Sequence, residues 1–148
     1  MTLLQLTTYW QTICLKHKDV LEFQVGSWYD AAANTGNKYP LCFWELPYSI
    51  QYPDITKPKD TVQISFSVFL SSKPDSIADD NQAISMAKSI GDAIIMKARL
   101  DTNEMIINAV NAVSVREYTD DNVAGIRYDL TLTILNDICE KDLNDYFN

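Results

Sequence analysis

Long hydrophobic runs are missing from this 148-residue sequence: no stretch approaches the roughly 20 apolar residues that a bilayer-crossing helix needs, so no membrane span is expected. The amino terminus, MTLLQLTTYWQTICLKHKD, has neither a basic leader region nor a small-residue cleavage site, which predicts a chain made and kept in a cytosol. Glycine is scarce, at four residues, and no G-x-x-x-x-G-K-[ST], G-x-G-x-x-G or G-x-S-x-G pattern occurs, so phosphate-cradling loops are not expected. There is one histidine, His17, with no acid placed beside it by sequence, which leaves no Ser–His or Cys–His pair that avoids it. Cys14, Cys42 and Cys139 are odd in number and far apart, as suits reduced thiols rather than a disulfide framework.

Cys14 and His17 have a C-x-x-H spacing, but a zinc site needs three or four ligands and no others are in view. The carboxylate clusters PDSIADD and TDDN lack the spacing and distant glutamate of a calcium loop, and are read as loop solvation and helix capping. No catalytic residue, metal or cofactor is therefore assigned. Basic charge is also short. Residues 1–74 hold six Lys/Arg against six Asp/Glu, and residues 75–148 hold six against fourteen, so the net −8 comes from the second half. A protein that grips nucleic acid needs a basic footprint. The composition argues against one, but not against a surface that DNA passes without sticking.

What is present is strong patterning in an otherwise ordinary globular composition, 47% apolar and 22% charged, long enough for one domain with its own core. Residues 2–17 carry Leu3, Leu6, Trp10, Ile13 and Cys14 at helical spacing, which predicts an amino-terminal helix with one buried stripe. Residues 39–54, YPLCFWELPYSIQYPD, read as extended, with Pro40, Pro47 and Pro53 confining them to a sheet edge or an arm. The stretch TVQISFSVFL, residues 61–70, alternates almost strictly: Val62, Ile64, Phe66, Val68 and Leu70 share one face, and Thr61, Gln63, Ser65 and Ser67 the other until Phe69. Residues 80–100 form a second helix, started by Asp79 or Asp80, with small residues Ala87 and Gly91 on the face that meets a sheet. Residues 110–135 read as a hairpin turning through Asp120-Asp121-Asn122, and residues 137–148 as an acidic tail. The expected fold is α+β: a single, mainly antiparallel sheet packed by two principal helices.

Two features leave alternatives open. The rings of Tyr39, Trp44, Tyr48 and Tyr52 crowd one segment, and either finish the core of an edge strand or form a subunit interface. The polar face of residues 61–72 carries no charge, whereas a free edge strand is usually guarded by Lys or Glu. Gln63, Ser65 and Ser67 are thus expected either to face solvent, as polar strand residues ordinarily do, or to be central, covered by a neighbouring copy, or facing a channel.

In order, HKDVLEFQVGSWYDAA, YPLCFWELP, VQISFSVFLSSKPD and AISMAKSIGDAIIMKA, followed by the closing hairpin, resemble the tail-completion and tail-terminator (head–tail joining) proteins of tailed bacteriophages over residues 15–135. The resemblance implies one sheet flanked by helices and a non-enzymatic virion protein. It implies a homo-oligomeric ring, a hexamer in preference to a dodecamer, at the head–tail junction. Neck, portal and tail proteins would adjoin it, and genomic DNA would pass through without specific binding. The acidic tail has no counterpart in that pattern. The alternatives are a stopper or adaptor ring beside the portal, and a monomeric ligand-binding α+β domain.

Overall fold

The computed structural model describes residues 1–27, 30, 36–46, 48–52, 59–101, 103–117 and 122–135. Pro47, Pro53, the Asp120-Asp121 turn, Cys139 and the acidic tail lie outside the described residues. Helix α1 is Leu3–Lys16, and its start follows from local chemistry. Thr2 accepts from the Gln5 amide while the Gln5 side chain accepts from the Thr2 amide, a capping box that satisfies two donors the helix cannot. The strands follow as β1 (Glu22–Gly26), β2 (Leu41–Glu45), β3 (Ser49–Gln51) and β4 (Lys59–Ser71). Helix α2 is Ile77–Asp101, followed by β5 (Met105–Glu117) and β6 (Val123–Leu135).

The strands make one six-stranded sheet in the order β1-β2-β4-β6-β5, with β3 continuing the β2 side along the other half of β4. Only β1 and β2 run parallel; every other pairing is antiparallel. Fold class and layer arrangement are as expected: α+β, one mixed sheet with two helices packed on it. Both long alternating stretches lie in the middle of the sheet, where β4 and β6 pair over their whole length from Lys59↔Leu135 to Ser71↔Val123. Centrality explains why residues 61–72 need no charged guard.

One face of the sheet holds the core. Val62, Ile64, Phe66, Val68 and Leu70 of β4 and Ala124, Ile126, Tyr128, Leu130, Leu132 and Ile134 of β6 pack under α2 and α1. α2 can lie this close because Gly91 has no side chain: a Cβ there would come within 2.4 Å of the Tyr128 ring. That ring is held from both sides. It stacks on Phe66 at 5.9 Å, and its hydroxyl donates to the Lys88 carbonyl or to Asp92 Oδ1, so it could not step aside. Burial and the Asp92 carboxylate push the Tyr128 phenol up, keeping it a donor.

Three expectations are corrected. The edge expected for residues 39–54 is found at β3, which among the described strands pairs only with β4, but not at β2, which lies between β1 and β4 because Pro40 stops just before the strand and leaves its amides free to pair. α2 begins at Ile77 rather than near residue 80, since Ser76 supplies the cap: its Oγ accepts from the Asp79 amide and its carbonyl from the Asp80 amide. Asp80, expected to cap, instead points inward and pairs with Arg116 of β5, whose Nε donates to Asp80 Oδ2 at 2.6 Å. The hairpin is also longer, beginning at Met105, with a bulge at Asn108 that switches which residues of β5 face the helices.

Candidate functional site

The second face of the sheet, which we call the open face, is set by the same alternation. Register places its residues in rows across the strands. From one end these rows are Leu41–Phe69–Gly125–Val115, then Phe43–Ser67–Arg127–Val113, then Ser65–Asp129–Asn111. The next are Ser49–Gln63–Thr131–Ala109 and Gln51–Thr61–Thr133–Ile106. Chemistry therefore grades along the strands. Leu41, Phe43, Phe69 and Val123 form a small apolar cluster at one end, with Tyr39 and Val115 against it. A charged belt follows, and then a field of hydroxyls and amides.

The belt centres on Arg127. Its Nε donates to Glu45 Oε1 at 2.8 Å and one terminal nitrogen to Glu45 Oε2 at 3.0 Å, a two-pronged pairing that fits the planar guanidinium. The same terminal nitrogen reaches Ser65 Oγ at 2.8 Å, and the other lies 3.2 Å from Asp129 Oδ1. Ser65 in turn donates to Asp129 Oδ1 at 2.6 Å. Four of the five guanidinium donors are thus engaged within the fold. The hydrogen bonds it donates to Glu45 hold the Arg127 guanidinium above its ordinary range despite partial burial, so its charge is permanent and locally neutralised. The belt carries one positive and two negative charges. Beside it lies an open depression of about 500 Å³ lined by Glu45, Ser49, Gln63, Asn111, Arg127 and Thr131.

Of the residues singled out from sequence, Gln63 is exposed on this face and Ser65 half-buried within the belt. Ser67 is fully buried, its hydroxyl directed to Glu45 at 3.4 Å. The four rings separate. Trp44 faces the helices and has no exposed surface, packed on Trp10 at 5.1 Å and beside Phe66. Tyr48 is half-buried beside it, its hydroxyl accepting from Trp44 Nε1 at 2.8 Å and meeting Thr7 of α1. Tyr39 joins the apolar cluster on the open face, and Tyr52 is broadly exposed at 64%. The aromatic segment therefore largely completes the core, with Tyr52 left outward. Glu45, Arg127, Asp129, Asn111, Thr131 and Thr133 were not singled out from sequence. Only the alternation in GIRYDLTLTI, which puts Arg127, Asp129, Thr131 and Thr133 on one side, pointed their way.

His17 caps the end of α1, with Nδ1 accepting from the Asp19 amide at 3.3 Å, far in sequence from the belt. Cys14 and Cys42 are both fully buried in the core; burial, and then a contact between the two thiols, pushes the Cys14 thiol up. Among the described residues no group of three or more His, Cys, Asp and Glu is placed to hold a metal ion, and no helix is long and apolar enough to cross a membrane. In comparisons with known proteins, no family model and no curated protein matches the chain.

Proposed function

We propose that this chain is a structural, ring-forming protein of the tail-completion or tail-terminator kind, at the head–tail junction of a tailed bacteriophage. In this reading the ring is homo-oligomeric, made in the host cytoplasm and built into the virion, with neck, portal and tail proteins on either side. Each copy turns its open face toward a channel and its helices outward. The observation that carries the reading is the quenched arginine: the belt's one cation is held by Glu45 and Asp129, and beyond it lie only neutral Ser49, Gln63, Asn111, Thr61, Thr131 and Thr133. A duplex is bound non-specifically when free Lys and Arg neutralise its phosphates and release its condensed counterions to solution. A wall of amides and hydroxyls, with its guanidinium already paired, gives moving DNA nothing to exchange ions with. Among the described residues of β4, Lys59 is the one cation, at the far end of the strand.

The ring reading is tested by mass. The 16.8 kDa chain, measured by native mass spectrometry alone and with purified phage tails, is expected to assemble as six copies. A protein that stays a single copy in both settings, and binds neither tails nor portal, would remove the reading.

A further inference from the structure

Resting on the ring reading above, we propose that copies join edge to edge, β5 of one pairing antiparallel with β1 of the next, so that the ring wall is one continuous sheet. Among the described residues the sheet path ends on β5 and β1, with β3 a short edge beside β4 beyond the end of β2. β5 is a long edge, and from Met105 to Val115 it has no charged residue, no proline and no glycine. Its one irregularity is the bulge at Asn108, so the run from Ala109 to Val115 is regular, and no described strand pairs with its outer side. Natural sheets protect such an edge with lysine, proline or a cover, because its backbone donors and acceptors template another strand. Isolated, this edge is an aggregation hazard; paired, it is an interface.

Strand directions select the partner. Following the pairings, β4 and β5 run one way while β6, β2 and β1 run the other. Rotating a copy about an axis along the strands keeps those directions, so β1 of the neighbour meets β5 antiparallel, the more stable ladder. The same rotation keeps every open face on one side and every helix on the other. Pairing β5 with itself would close a two-copy assembly and leave β1 unused.

Side-chain sizes agree. On the helix side, between Val110 and the Arg116 that pairs with Asp80, the small residues Ala112 and Ser114 of β5 stand exposed. β1 presents Phe23 and Val25 to the same side, the first half-buried and the second 44% exposed. Face-matched pairing lays these two larger side chains over the small ones.

The test introduces Val25→Cys with Ala112→Cys, both at exposed positions, in a Cys139→Ser background, and adds a short thiol–thiol linker. A covalent ladder ending at six, absent from either single-cysteine control, is the expected result. A six-copy mass without that ladder overturns the joint and leaves the ring; a single-copy mass overturns both. Ala112→Lys, alone, should reduce the assembled mass to one copy with the far-ultraviolet circular dichroism of the parent retained. Assembly as in the parent protein would count against the joint.

Discussion

Gly125→Ala is expected to destabilise the protein by roughly 3 kcal/mol or more, among the costlier results of overfilling a packed site. An added Cβ would sit 1.9 Å from the Val68 carbonyl oxygen and 2.9 Å from its carbon. Both obstructing atoms are backbone atoms of β4, the strand through which the whole sheet is organised, and neither can rotate away. Gly125 is also held between Phe69 of β4 and Val115 of β5, so a shift relieved on one side strains the other. For a chain of this size the loss corresponds to a melting temperature about 10 °C lower or more. Thermal unfolding followed by circular dichroism reads it directly. A melting temperature within a degree or two of the parent would mean that β4 and β6 separate cheaply, contrary to the central role assigned to them.

The second large effect is expected at the pair that ties α2 to β5. Arg116→Met should cost roughly 3 kcal/mol, because Asp80 is only 6% exposed and would be left as a buried charge without its guanidinium. Arg116 itself is partly solvated, which places the effect at the lower end for a broken buried pair. Adding Asp80→Leu to Arg116→Met should restore most of the loss, since an apolar replacement of both partners removes the desolvation penalty together with the attraction. Urea midpoints of the two single variants and the double variant measure this. If Arg116→Met costs less than about 1 kcal/mol, the pair is a surface contact.

These two sites mark where sequence reading works and where it stops. The alternation of residues 61–70 identified the core face of β4 correctly, because a strand's period of two is a local property of the chain. The small residues of α2 likewise announced a close approach, and Gly91 over Tyr128 is that approach. Capping was harder: Ser76, Asp79 and Asp80 are all plausible caps, and only the inward pull of Arg116, 36 residues further on, decides which one serves. The prolines misled because they flank β2 rather than interrupt it. The charged belt was out of reach altogether. Glu45 and Arg127 are 82 residues apart, Ser65 and Arg127 are 62 apart, and no local pattern reports a pairing made only when β2, β4 and β6 come together. The aromatic segment shows the converse. Its rings suggested a surface, but Trp44 and Tyr48 lie under α1, whose inward Trp10 is a partner that spacing alone does not specify.

The central claim is that the open face lines a DNA channel, and a cryo-electron microscopy reconstruction of the assembled ring tests it most directly. The prediction is six copies with Gln63, Ser65, Arg127, Asp129 and Thr131 on the inner wall and α1 and α2 on the outside. A bore lined by α2, or a particle in which the open face is packed against another protein, would contradict it.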